Sequence, residues 1–440
     1  MQSTDNRDLL GRSLNAVWHP CSQMKHYESF PLIPIASGNG VWLHDYDGRR
    51  YLDAVSSWWV NLFGHCNPRI GAAIADQLGK LEHVMLAGFT HEPVVQLSER
   101  LIDLAPDGLG HCFYASDGAS ATEIALKMSA HFWRATGRQE KTQFICLENS
   151  YHGETLGALS VTDIALFRDA YGMLIRQQST VPSPDSRLAE AGESAEAYAL
   201  RCADALEQHL RQHHAKLAAL IVEPLVQGAA GMAMYHPAYL RCARALCDTY
   251  GVHLIADEIA VGMGRTGTMF ACEQAGISPD FLLLSKGISG GYLPLSVVMV
   301  RDEIYQAFYA DETSRGFLHS HSYTGNPLAC RAALATLDIF LRDDVLDTNR
   351  VKSMYLSQIA SPLRAHHAVR NWRNSGMIWA FEADSTHRDF ARRCFALALQ
   401  NEILLRPIGK TVYFIPPYTI SEEEMQLLVE GTLRVVEQLC

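Results

Sequence analysis

Three short stretches carry side chains whose types and spacing could do chemistry. In LLLSKGISGG an apolar run ends on Lys286 and gives way to small residues. In VHLIADEIAVGMGRTG another apolar run ends on Asp257-Glu258. In ASDGASATEIALKM, Gly118 leads into a helical pattern with Ile124, Met128 and Phe132 on one face, and Ser120-x-x-Glu123 reads as its capping box. A glycine turn opening a helix presents unbonded N–H groups and the positive end of the dipole, a place for a phosphate. Strand carboxyl ends in an open α/β sheet face the ligand crevice, so Asp257 and Lys286 are expected there. Taken singly, each has an ordinary reading: a capped helix, a loop-capping carboxylate, a solvated strand-end cation.

Taken together they describe a site for pyridoxal 5′-phosphate (PLP): a phosphate cradle, an amine to condense with the aldehyde and a carboxylate for the pyridine nitrogen. The amine can also carry a proton as general base if burial lowers its pKa. A buried carboxylate paired with a cation is a desolvated partnership that is expensive to break. Tyr151, in NSYHGET beside His152, can stack on the ring or be a plain loop tyrosine. Gly262-x-Gly264-x-x-Gly267 matches the dinucleotide fingerprint in form only, because no helix pattern opens at its glycines. The histidines of QHLRQHHAKL read as a polar helix face, and no metal is expected.

These residues need a scaffold. The runs FICLE, LAALIVEPLV, VHLIADEI, FLLLSK and LSVVMV lack polar alternation and fit strands buried on both faces. Helical stretches such as SATEIALKMSAHFW and YLRCARALCDTYG separate them, giving an α/β domain with a mainly parallel sheet. Asp47-Gly48 in VWLHDYDGRRYLDA predicts a hairpin. Residues 177–197 read as a surface excursion. Near the end, ILLRPIG and TVYFIPP read as strands and Ser421-x-x-Glu424 as a capping box. The chain has 440 residues, 37 basic and 48 acidic, for a net charge of −11, which argues against nucleic-acid binding. No run reaches the roughly 18 apolar residues of a membrane span. The N-terminus lacks signal-peptide blocks and the 11 cysteines form no C-x-x-C pair, so a cytoplasmic protein with reduced thiols is expected.

LIADEIAVGMGRTG, LLLSKGISGGYLPLS and YTGNPLAC together resemble the class III, or omega-type, PLP-dependent aminotransferases over nearly the whole chain. Within the class, WHPCSQM, SSWW and RPIGKTVYFIPPY look like the branch that makes 7,8-diaminononanoate from 8-amino-7-oxononanoate in biotin biosynthesis. The resemblance implies fold type I. A large PLP-binding domain (66–329) would stand beside a smaller α+β domain built from 1–65 and 330–440. It also implies a homodimer with interfacial active sites, and ping-pong transfer with S-adenosylmethionine as the default amino donor. Carried over by position, Lys286 is the cofactor lysine, Asp257 the ring-nitrogen partner, Gly118 and Ala119 the phosphate turn, and Tyr151 the stacking residue. His321 and Ser322 match a segment reaching the phosphate from the other subunit. Trp58, Tyr151, Ser320, Cys21 and Arg406 surround substrate, Arg406 as the carboxylate-binding fork. Arg265 and Glu223 line the site without an assigned role. Cys21 stands where an aromatic residue is common, Ala119 where a hydroxyl is frequent, and Ser322 where threonine is usual. The first departure leaves lysine open as donor. An omega-aminotransferase acting on diamines or omega-amino acids with pyruvate or 2-oxoglutarate is the alternative.

Overall fold

The computed structural model describes residues 5–30 and 32–440. They divide into two compact units, one drawn from Met1–Pro68, Val351–Arg373 and Ile378–Cys440, the other from Arg69–Arg350 and Asn374–Met377.

A seven-stranded sheet organises the larger unit. Its strands are β1 Leu109–Ala115, β2 Gln143–Leu147, β3 Ser179–Val181, β4 Leu217–Val222, β5 His253–Asp257, β6 Phe281–Leu284 and β7 Ser296–Arg301, in spatial order β1-β7-β6-β5-β4-β2-β3. All neighbours from β6 to β3 run parallel, and only β7 is antiparallel to the strands beside it. Every residue of β4, β5 and β6 is buried, which is why those runs carry no polar alternation. Helix α1, Gly118–Ala135, lays Ile124 and Met128 into a core with Ile221, Ile255, Leu283 and Val298 from four strands.

Register brings the strand ends together. Val222 pairs with Ala256, and Asp257 with Leu283. Glu223, Asp257 and Ser285-Lys286 therefore emerge at the same edge of three adjacent parallel strands. That edge is where ligands bind in open α/β sheets.

Several local expectations need correction. Asp117, not Ser120, caps α1: its Oδ1 accepts from Ser120 N at 2.9 Å. The helix begins at Gly118, so Glu123 lies too deep to reach back, and its carboxylate accepts from Gly157 N at 2.7 Å instead. The segment 177–197 is not simply a surface excursion. Ser179–Val181 adds an edge strand beside β2, and Val181, Ser183 and Asp185 are buried. A three-residue strand is too short to show periodicity, and the Ser183 hydroxyl is satisfied by Gln227. Strand β1, whose central residues are only half-buried, and the amphipathic-poor helix Asn6–Ala16 had no sequence signal. As expected, Gly262–Gly267 opens no α-helix; a five-residue turn of 3-10 helix follows and ends at Gly276.

In the smaller unit, Trp42–Asp45 and Arg50–Asp53 form the anticipated hairpin. Asp45 Oδ1 accepts from Asp47 N and Arg49 N, and Gly48 takes φ 84°. The pair joins Ile35–Asn39 and Ile403–Leu404 in a four-stranded sheet, while Val369–Ser375, Ile378–Ala383 and Thr411–Phe414 form a three-stranded one. Ser421 and Glu424 make the expected capping box on the helix Glu422–Leu439. Among the described residues no helix is long and apolar enough to cross a membrane.

Candidate active site

Lys286 follows β6 as the first residue of a short 3-10 turn, with φ 46°. A non-glycine residue in this left-handed region costs roughly 1–2 kcal/mol, so packing must impose the conformation. Burial lowers its amine below the ordinary lysine value, while the charges of Asp257 and Glu223 pull the other way. An amine in that environment is a better nucleophile and base near neutral pH than a surface lysine.

Asp257 closes β5 and is buried. Its Oδ2 lies 2.7 Å from His152 Nδ1, and its Oδ1 accepts from Ile259 N at 3.1 Å. Glu223, just past β4, is also buried. One carboxylate oxygen accepts from Tyr151 N at 3.0 Å and the other from Gly228 N at 2.9 Å. Burial pushes the Glu223 pKa up to about 7; His152 opposes the shift and the nearby Asp257 charge adds to it. Two strand-end carboxylates thus grip consecutive residues of one loop: Glu223 holds the Tyr151 main chain and Asp257 holds the His152 ring. The Tyr151 hydroxyl donates to Glu154 at 2.9 Å, and its ring meets Phe167 edge-on.

The loop is pressed against the start of α1. A Cβ on Gly153, at φ 117°, would lie 2.6 Å from the Ala119 Cβ. A Cβ on Gly118 would meet Ile259 at 2.9 Å. Gly118 and Ala119 therefore sit under Gly153 and Ile259, at the N-terminus of an 18-residue helix. Such a terminus favours an anion. His321 joins this end: its Nδ1 accepts from Tyr323 N at 3.1 Å, which leaves Nε2–H to donate to Ser116 Oγ at 2.9 Å in the same chain. Ser320 and Ser322, on either side, are exposed. Arg265 is almost fully buried in the turn after β5, where its carbonyl accepts from Met377 N at 2.8 Å.

The remaining residues lie in the smaller unit. Four successive residues, Ser56, Ser57, Trp58 and Trp59, have φ between 49° and 84°. They are held by Ser56 Oγ donating to Ile415 O at 2.6 Å, by Ser57 Oγ donating to Asp53 Oδ2 at 2.9 Å, and by the Trp59 indole, which donates to the Tyr413 hydroxyl. Such over-determined strain is found where a side chain must be aimed. Here it buries Trp59 and leaves Trp58 43% exposed, with the Arg406 guanidinium 4.3 Å from its ring centre. Arg406 and Cys21 share a cavity of about 520 Å³ with Tyr27, Leu43 and Phe395. No cluster of metal-ligating side chains occurs among the described residues.

His152, Glu223 and Arg265 are the site residues to which sequence reasoning gave no role. The available cue for Glu223 was its position right after an apolar run, the same cue that marked Asp257. For His152 only the fold supplies one, because its partner is 105 positions away.

A family model for the class-III aminotransferases matches residues 23–436. An adenosylmethionine-8-amino-7-oxononanoate aminotransferase of Helicobacter pylori is 45% identical, over 98% of this chain and 98% of its own. Its counterpart from Geobacter sulfurreducens is 38% identical over the same shares. The crystal structure of the Methanocaldococcus jannaschii enzyme of that name superposes with a TM-score of 0.93 at 33% identity, covering 99% of this chain and 100% of that one. An (S)-enantioselective omega-transaminase from Thermomicrobium roseum superposes with a TM-score of 0.94 at 29% identity, covering 99% of each chain. With a lysine and two buried carboxylates at one sheet edge, and a family match along nearly its whole length, the chain belongs to the class-III aminotransferases.

Proposed function

We propose that this aminotransferase transfers an amino group to 8-amino-7-oxononanoate, giving 7,8-diaminononanoate for biotin synthesis, with S-adenosylmethionine as donor. The observation that carries this reading is the 45% identity, end to end, to a relative of that name. The residues fit PLP. The N-terminus of α1 at Gly118-Ala119 suits its phosphate, Asp257 its ring nitrogen, Tyr151 its ring face and Lys286 its aldehyde. When bound, the cofactor supplies an electron sink that makes a proton on the amine-bearing carbon acidic.

The chain's own groups do the rest. Lys286 Nζ, with its pKa lowered by burial, would take that proton and give it back at the carbon on the other side of the nitrogen. Asp257 is held at both oxygens, by the His152 ring and the Ile259 N–H, at the sheet edge. Arg406 holds the acceptor's carboxylate through its planar fork, with the Trp58 ring limiting where the guanidinium can lie. Ser320, Cys21 and Tyr151 complete the substrate surroundings, and His321 and Ser322 the phosphate end. We further propose a cytoplasmic homodimer on the strength of the family resemblance.

The test is direct. Purified protein with PLP and 8-amino-7-oxononanoate is offered S-adenosylmethionine or lysine, and product is followed by mass spectrometry. Diamine formed with S-adenosylmethionine supports the proposal. Diamine with lysine alone moves the donor, and no diamine with either rejects it in favour of an omega-aminotransferase acting on other amines.

A further inference from the structure

The His152 ring is buried, and no polar atom among the described residues reaches its Nε2. With Asp257 accepting, Nδ1 carries a proton, and Nε2 is left without a partner among the described residues. An unpaired buried polar atom works against stability, and a phenylalanine would fill similar space without one. Packing therefore does not explain a histidine here. Its main chain is held on both sides: the N–H donates to Thr162 Oγ1 at 3.1 Å, and the carbonyl accepts from Thr122 Oγ1 at 2.9 Å. Thr122 belongs to α1, so the histidine also links the helix whose N-terminus faces the proposed phosphate.

We propose that His152 is a positioning residue for Asp257. Its locked ring fixes one carboxylate oxygen while the Ile259 N–H fixes the other, so the carboxylate cannot rotate away from the cofactor's ring nitrogen. This rests on the reading of Asp257 as that nitrogen's partner. The charged groups facing the pair are Glu223 at the end of β4 and Lys286 after β6. Among the described residues no polar group reaches Nε2, so the Nδ1–Asp257 bond is the ring's one polar anchor.

Asparagine places an amide nitrogen near the Nδ1 position, glutamine reaches toward Nε2, and phenylalanine offers no donor. His152→Asn is expected to bind PLP within about threefold of the native chain. His152→Gln and His152→Phe are expected to bind it tenfold or more weakly and to displace the pH titration of its visible band. Cofactor-free His152→Phe should melt no lower than the native protein. Native affinity and an unmoved titration in the phenylalanine variant would overturn the proposal. If that variant does not fold, the asparagine–glutamine contrast decides, and equal behaviour of the two overturns it. Asp257→Asn separates the underlying reading: unchanged PLP binding and titration there would remove Asp257 from the cofactor whatever His152 does. In the cofactor-free protein, a slowly exchanging imidazole N–H signal that vanishes in Asp257→Ala supports the bond itself. Its absence from the native protein overturns it.

Discussion

The strand-end cluster of the larger unit and the Trp58–Arg406 ledge of the smaller one both place a cation beside its controlling group, but by opposite means. Asp257 and Glu223 are buried beside the half-buried Lys286, and the proton affinities of Lys286 and Glu223 are shifted by desolvation and by the charges around them. Arg406 is exposed, and its guanidinium lies over the face of an aromatic ring. Interactions in a dry site are strong and sensitive to every neighbour, whereas an exposed cation–π contact is worth roughly 0.5–1 kcal/mol. The first arrangement suits a fixed chemical step, the second an adjustable grip on a substrate. Substitutions in the two places should therefore differ in size and in the kinetic constant they move.

The largest expected effect is at Lys286. Lys286→Ala removes both the covalent partner and the base. The proton-transfer role alone is worth on the order of 10²–10⁴ in rate. The variant should still bind PLP weakly but give no cofactor link trappable by borohydride. Trapping at native yield would place the reactive amine elsewhere and dissolve the contrast between the two regions.

The buried carboxylates make the next test. Burial raises the pKa of Glu223 from 4.5 to about 7, and that of Glu258, which accepts from Ala271 N and Cys272 N, equally to about 7. Between those values the native state retains protons that the unfolded chain has lost. The two groups thus make the cofactor-free protein less stable as pH rises from about 4.5 to 7, by roughly 3 kcal/mol each. Paired surface carboxylates act in the opposite sense, so the comparison must be between variants. Glu223→Gln should lose stability relative to the native chain at pH 5 and gain at pH 8, measured by urea unfolding. Parallel curves for the two proteins would mean that Glu223 titrates normally.

How much of this was legible in the sequence follows the same division. Asp257 and Lys286 could be read because each ends an uninterrupted apolar run, and a fully buried parallel strand leaves that trace. Glu223 ends a run of the same kind, but its role depends on the register that sets it beside Asp257. Ser120-x-x-Glu123 misled because the spacing of a capping box also fits residues one turn inside a helix, and only the backbone shows that Asp117 starts it. The left-handed backbone of Ser56–Trp59 has no sequence signature, since serine and tryptophan ordinarily avoid it. Arg406 was placed by family resemblance alone; its contact with Trp58 joins residues 348 positions apart and leaves no periodic trace.

A smaller effect is expected where the loop of Tyr151 meets α1. In Gly153→Ala the new methyl would sit 2.6 Å from the Ala119 Cβ on a backbone at φ 117°. Strain of this kind costs about 1–3 kcal/mol, and relief by moving Ala119 would disturb the helix start. Gly192→Ala is the control, at φ 86° with nothing near its Cβ. Both should lower the melting temperature, but only Gly153→Ala should weaken PLP binding. Equal behaviour would detach that contact from the phosphate end.

The smallest effect, and the sharpest test of the contrast, belongs to Trp58. Trp58→Leu removes the ring under Arg406 while leaving the guanidinium charged and exposed. The loss of roughly 0.5–1 kcal/mol corresponds to about a two- to fivefold weakening. A contact that only restricts an arginine before it grips a carboxylate acts equally on the bound substrate and on the transition state. Its removal should raise KM for the oxo acceptor by that factor, leave kcat in place, and spare the half-reaction with the donor. A fall in kcat of the same size would show that the tryptophan acts on the reacting atoms. The ledge would then belong with the strand-end cluster, as part of the fixed chemistry.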